Sequence, residues 1–329
     1  MLTHSSRRQG VTLLLAAAAC LAFQPASGQS NWPDKPVRLV ITTPPGGPID
    51  TLARVLGEAV SRQLKQPVLV ENRPGASGAI ALGHVMKQPA DGYTLLITAN
   101  ASFSLIPHVR PMPNKLEDFS YVGQLVYTPN VVVVPASSPA RSLKDLVALA
   151  KPGASKLNYG MMAGVPQHLD VERFKKDTGA DLLMVPYPGG APIVTALLGG
   201  QVDMTLFNAP LFAEHAKAGK LRVLATTAKN RIAMMPDVPT LREAGFPNLK
   251  LSEGSFYSLA APRGLPQALS DRIYQQFTAA AKEPEVRKKL EAAGFELQPA
   301  DGNALRAELQ EESRDNAALV KALNIKLAE

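Results

Sequence analysis

Apolar residues along this chain follow two spacings that take turns. Short apolar runs bounded by Gly, Pro, Asn or Asp predict strands at Val37–Thr43, Pro67–Glu71, Thr94–Thr98, Asn130–Pro135, Leu157–Gly160, Leu182–Pro186, Met204–Phe207, Leu221–Thr226 and Ser255–Ala260. Between and after them, apolar positions recurring every three or four residues predict helices at Thr51–Leu64, Gly78–Lys87, Ser142–Ala150, His168–Thr178, Pro192–Gly199, Leu211–Ala218, Ser270–Ala281, Pro284–Ala293 and Ala304–Leu323. This alternation predicts an α/β protein with parallel sheets and helices on both faces. No short repeat and no low-complexity tract interrupts it.

Residues 1–28 stand outside that pattern. Arg7 and Arg8 precede a continuous apolar stretch from Val11 to Phe23, and Ala26-Ser27-Gly28 supplies small residues for cleavage. The stretch is too short to span a bilayer comfortably, so a secretory signal peptide is expected, leaving a mature chain from Gln29 in the periplasm. A buried N-terminal helix is the structural alternative, and no charged face accompanies the run to support it. Ser6-Arg7-Arg8 leaves twin-arginine export open, and Cys20 leaves lipidation open. Cys20 is the only cysteine. Its removal with the leader would exclude disulfides, thiolate zinc sites and cysteine nucleophiles from the mature protein.

The length of 329 residues predicts about two domains. Formal charge is +7, and two of the 35 Lys and Arg but none of the 28 Asp and Glu lie in the leader, which leaves the mature chain near +5. That field modestly favours anionic solutes, or serves solubility alone. Aromatic residues are 5% and no basic run is interleaved with them, which argues against nucleic acid as a partner.

The first strand ends in Pro44-Pro45-Gly46-Gly47-Pro48-Ile49-Asp50, and a helix follows. The first-turn amides of a helix lack intrahelical partners and sit at the positive end of its dipole, so strand, glycine turn and helix can receive an anion. No Walker lysine follows, so this is not a P-loop. The structural alternative is a tight turn with Asp50 as cap or loop organiser.

Further along stand Glu71-Asn72-Arg73-Pro74-Gly75-Ala76-Ser77-Gly78, Asp91-Gly92-Tyr93-Thr94-Leu95-Leu96, Val185-Pro186-Tyr187, Leu198-Gly199-Gly200-Gln201-Val202-Asp203 and Pro236-Asp237-Val238-Pro239-Thr240. In this order they resemble the substrate-binding receptors of tripartite tricarboxylate transporters, the Bug receptor family, from about Trp32 to the C-terminus. The resemblance implies two Rossmann-like lobes with a cleft between them, a type II periplasmic-binding-protein-like fold. Lobe one is expected at 29–129 plus 254–329 and lobe two at 130–253, with crossings near Thr128–Val131 and Leu249–Gly254. Ligands in such sheets lie beyond the carboxyl ends of strands, and the lobes close by a hinge.

On this basis Pro45, Gly46, Gly47, Ile49 and Asp50 form one wall of the expected site. Asn100, Ala101 and Ser102, after the strand ending at Thr98, add small donors. The second lobe answers with Met162, Ala163, Gly164, Val165 and His168. Relatives often carry hydroxylated residues there, so Met161, Met162 and Val165 point away from a citrate-like ligand and toward a smaller or partly apolar carboxylate. Tyr187 could donate from its phenol, and Asp203 and Asn208 flank the Met204–Phe207 strand. Structural readings stand beside these: His168 as a capping histidine, Asp203 as a turn residue, Phe256-Tyr257 as core aromatics, and Glu71-Asn72-Arg73 as an ion pair and loop scaffold.

No Gly-x-Ser-x-Gly elbow and no His-Glu-x-x-His pair occurs, and His4, His84, His108, His168 and His215 are scattered. An unrecognised secreted hydrolase is the lesser alternative. The expectation is binding without chemistry: a monomeric receptor with no cofactor and no metal that captures a small organic carboxylate. Its partner would be the membrane permease subunits of a tripartite transporter or, alternatively, a membrane sensor.

Overall fold

The computed structural model describes residues 32–153 and 156–323. The expected signal peptide, with His4 and Cys20, lies outside them. The chain divides into two units, Met1–Lys35 and Pro36–Glu329, and among the described residues every helix and strand belongs to the second.

Its elements in chain order are β1 (Val37–Ile41), α1 (Pro48–Leu64), β2 (Val68–Asn72), α2 (Ala79–Val85), β3 (Thr94–Ala99), α3 (Ala101–Ser104), α4 (Ile106–Val109) and β4 (Phe119–Pro135). Then come α5 (Leu143–Leu149), β5 (Leu157–Met161), α6 (Pro166–Thr178), β6 (Leu182–Pro186), α7 (Gly190–Leu198), β7 (Thr205–Asn208), α8 (Ala213–Lys217) and β8 (Leu221–Thr226). The chain closes with β9 (Gly254–Pro262), α9 (Gln267–Lys282), α10 (Pro284–Ala292), β10 (Glu296–Asp301) and α11 (Gly302–Leu323).

The first sheet runs β10-β4-β9-β3-β1-β2. β1 pairs in parallel with β2 and β3, through registers such as Leu39 opposite Val70 and Leu95. α1 covers this part with Ile49, Leu52, Ala53, Leu56 and Val60, the buried stripe of an amphipathic helix. β4 is 17 residues long and belongs to two sheets. It pairs with β9 down to Pro129 opposite Gly254, and from Asn130 opposite Asn208 it pairs with β7, and with β8 alongside. β5 and β6 lie parallel beside this second group, joined through a bridge from Tyr159 to Met204. One apolar core, including Val131 to Val134, Tyr159, Phe174 and Phe212, fills the second half. A smaller cluster of Leu105, Val109, Leu169 and Val320 joins α4 and α11 to α6.

Three sequence expectations are corrected. β4 begins at Phe119 rather than Asn130, because Phe119–Pro135 is buried almost throughout and shows no alternation of polar and apolar positions. β10 and the short helices α3 and α4 carry no period long enough to read; β10 is half-exposed and rich in Glu, Gln and Asp. The sheets are mixed rather than parallel. β9 runs antiparallel to both β3 and β4, and β7 and β8 run antiparallel to β4. β4 carries the chain away from the first sheet and β9 carries it back, so the two must oppose each other.

At the changeover the backbones approach closely. Asn130 N–H donates to the Glu253 carbonyl at 3.1 Å, and a Cβ on Gly254 would overlap the Thr128 carbonyl oxygen. Gly254→Ala is therefore expected to destabilise the fold by about 1–3 kcal/mol, because backbone atoms cannot yield as a flexible side chain would. Urea unfolding of the two proteins checks it; equal midpoints would show that the crossing has slack.

Candidate functional site

Two turns of the same design meet at one cavity. In the first half, β1 leads to Gly46 (φ +88°), Gly47 and Pro48, the first residue of α1. In the second, β5 leads to Gly164 (φ +74°), Val165 and Pro166, the first residue of α6. Glycine tolerates the left-handed conformation, and proline at the first helical position loses only an amide that would be unpaired anyway. Each turn is held by the third helical residue reaching back. Asp50 Oδ2 accepts from Gly46 N–H at 3.0 Å, and His168 Nδ1 accepts from Gly164 N–H at 3.3 Å. Neither helix has a side-chain N-cap, whereas α5 is capped by Ser142 and Asp145. In α1 the Ile49 and Asp50 amides, and in α6 the Gln167 amide, are thus left for another acceptor, while His168 N–H donates to the Val165 carbonyl at 3.0 Å.

The clamps differ electrically. The Arg54 guanidinium bonded to Asp50 holds its carboxyl well below the ordinary range; Gly46 and Asn72 add to this against the cost of burial. Asn72 also donates to the Thr43 carbonyl at 3.1 Å, tying β2 to the turn. Glu71 and Arg73 pair beside it. Burial pushes the His168 imidazole below its ordinary value, which favours the neutral ring that can accept through Nδ1.

The cavity measures about 280 Å³. Thr43, Pro48 and Ile49 line it from the first turn, and Val165, Pro166 and Gln167 from the second. Its floor is the changeover between the sheets. There Gln167 Nε2 donates to Asn130 Oδ1 and Ser255 Oγ at 3.2 and 3.0 Å, and Asn208 Nδ2 donates to the same two atoms at 2.9 and 3.1 Å. Phe207, Phe256 and Tyr257 supply apolar surface, with Phe256 stacked on Tyr127 at 5.4 Å. Thr43 Oγ1 is buried and has no hydrogen-bond partner among the described residues.

Of the residues singled out from sequence, Ile49, Asn100, Ala101, Val165 and Asn208 line this cavity. Gly46, Gly47, Asp50, Gly164 and His168 shape its two turns from behind, and Pro45 and Ala163 are exposed within them. Asn100 is buried, with its amide on Gln124 Oε1 and its carbonyl on the Ser258 hydroxyl, so it ties β3, β4 and β9 together. The Ser102 hydroxyl bonds Thr98 at 2.9 Å, and Thr98 bonds Thr42 at 3.1 Å. Met162 and Tyr187 pack against the second core. Met161 lies wholly inside it, so it is no donor site filled by a thioether. Asp203 lies elsewhere: it accepts from Asn158 N–H at 2.7 Å and lines a separate cavity with Pro135, at the far end of β4. Sequence reasoning passed over Thr43, Gln167, Ser255 and Glu312. Thr43 and Gln167 adjoin glycine turns already identified, but only the fold shows which way their side chains face. Phe256 and Tyr257, read as core, line the cavity.

Asp50→Asn is expected to cost about 1 kcal/mol, since Arg54 is half-exposed and solvent screens the pair. The folded carboxyl titrates below its unfolded value of 3.8, so the unfolded chain binds the proton first as pH falls. The stability gap between wild type and variant is therefore full above about pH 4 and narrows as pH drops below it. Urea melts across that range check it; a gap independent of pH would remove the ionic part of the clamp.

Comparison with known proteins agrees with this architecture. The family model "Tripartite tricarboxylate transporter family receptor" matches residues 52–325. Protein BugT of Bordetella pertussis is 32% identical over 324 residues, covering 96% of this chain and 97% of BugT. A TctC solute-binding protein from Polaromonas superposes with a TM-score of 0.77 at 28% identity, over 88% of this chain and 99% of that one. An R. palustris protein solved with adipate gives 0.74 at 31% identity, over 90% and 99%. Matched along nearly its whole described length, with two α/β lobes facing one cavity, the chain belongs to the receptor family of tripartite tricarboxylate transporters, a family of periplasmic solute-binding proteins.

Proposed function

We propose that this receptor captures a small organic carboxylate in the cavity between its lobes and delivers it to the membrane permease subunits of a tripartite transporter. The lobes are 29–129 plus 254–329 and 130–253, exported after cleavage near Gly28. The observation that carries the reading is the pair of uncapped helix N-termini, α1 and α6, brought to one cavity from two sheets by matched Gly-x-Pro turns. Such ends favour an anion through their amides and dipoles. Thr43 adds a buried hydroxyl that has no partner among the described residues. The relative solved with adipate supports a carboxylate as ligand. Binding here asks for no bond to be made or broken, and the polar groups at the cavity floor bond one another instead of forming an activated nucleophile.

A ligand that binds only the folded state must raise its melting temperature. The mature chain from Gln29 is expected to show such a rise with short-chain carboxylates and none with amines or sugars. Thr43→Val is expected to weaken carboxylate binding about tenfold or more, the cost of one hydrogen bond to a charged group. Calorimetric titration of both proteins measures it. Affinity unchanged in the variant would take Thr43 out of the site, and no response to any carboxylate would sink the receptor reading. Pull-down of permease subunits from membranes, rather than a sensor kinase, tests the partner.

A further inference from the structure

Glu312 is the one charged side chain among the described residues that line the cavity. It projects from α11, late in the chain, onto a wall otherwise made of small, amide and apolar groups. The cavity lining therefore carries two electrically distinct features. The α1 and α6 N-termini present the amides of Ile49, Asp50 and Gln167 and the positive ends of two dipoles. Glu312 presents a carboxyl group. Among the described residues no Lys, Arg or His lines the cavity to neutralise a second anion.

The surroundings reinforce that polarity. Glu308 stands one turn earlier on α11. Asp170, on α6, is fully buried, accepts from Ser252 through Oδ1 and leaves Oδ2 without a partner among the described residues. Both act on Glu312 with the same sign. From the other elements, the Ser104 hydroxyl of α3 and Arg173 of α6 act oppositely, and His108 of α4 bonds Ser313 instead. Lys229 is engaged with Glu253 and bears on Glu308.

Resting on the receptor reading, we propose that Glu312 pairs with a second group of the ligand, and that the cavity selects carboxylates ending in an ammonium group over dicarboxylates. An ω-amino acid would set its carboxylate against the helix N-termini and its ammonium against Glu312. A dicarboxylate would set its second anion against an acidic wall with no cation to receive it. Burial, with Glu308 and Asp170 adding, pushes the Glu312 carboxyl up to about 7. The ammonium pairs with the ionised form, so its binding strengthens as pH rises through that value. A second carboxylate needs the protonated form, so dicarboxylate binding weakens over the same range.

The test is calorimetric titration of the mature protein and of Glu312→Gln with three probe series of three to six carbons: ω-aminoalkanoates, alkanoates and alkanedioates, at about pH 6 and pH 8. The expected result is an ω-aminoalkanoate binding the wild type about tenfold or more tighter than the alkanedioate of equal length at pH 8, with the margin shrinking at pH 6. In E312Q the ratio of ω-aminoalkanoate to alkanoate affinity falls about tenfold and loses its pH dependence. An alkanedioate that binds the wild type tightest at pH 8 overturns the proposal. So does an E312Q variant that shifts all three series equally, which would mark Glu312 as structural support for Ser104. In both cases carboxylate binding persists and the receptor reading stands; silence from all three series brings down both.

Discussion

β4 must serve two sheets with one set of backbone groups. Up to Pro129 its amides and carbonyls pair with β9 and β10, and from Asn130 onward with β7 and β8. The site depends on that changeover keeping its backbone groups paired, because an unpaired backbone group there would be costly. The structure meets the demand with side chains. Asn130 and Ser255 accept from Gln167 and Asn208, and the Asn130 carbonyl accepts from Thr226 Oγ1 at 3.0 Å and Thr227 N–H at 3.1 Å. These groups form the cavity floor as well as the joint. Gln167 and Asn208 thus line the cavity and fasten the joint with the same two side chains.

The two turns show how a helix end is kept open. A serine or aspartate at the N-cap would satisfy the free amides and fill the space a ligand needs, as Ser142 does on α5. In α1 and α6 the reaching group comes from the third helical position and fastens the glycine before the cap. The turn is rigid while its amides stay available. Preorganisation of this kind lowers the ordering cost of binding and places the donors before the ligand arrives.

Much of this is legible in the sequence, and the boundary is physical. Strands with clear edges and helices with an apolar stripe can be read, because each pattern lies within a dozen residues. The Pro44–Asp50 turn announces itself by composition, and Asp50 and Asn72 read as scaffold because like charges repel and a glycine turn needs support. The first half of β4 is hidden because burial on both faces erases alternation. Ser255 and Glu312 are hidden for a different reason. They lie more than 200 residues from Thr43, in unremarkable surroundings, and only the return of β9 and the final packing of α11 bring them to the same wall. Met161 departs from its sequence reading because the strand outlasts the loop signal. It is the last residue of β5 and faces the core rather than the ligand.

The path of the chain also sets an order of assembly. β1, β2 and β3 come early, yet among the described residues their sheet is joined to β4 through β9, which pairs with β3 on one side and β4 on the other. Between β4 and β9 the whole second group of strands is delivered as one uninterrupted piece. In a polypeptide made N-terminus first, that second group is complete while the earlier strands still wait, open-edged, for residues 254–262. The glycine turn of β1 is among the first parts of the site to emerge and among the last to find its neighbours. The cavity wall is complete only once α11, carrying Glu312, has packed against the rest, so the site takes its parts from both ends of the chain.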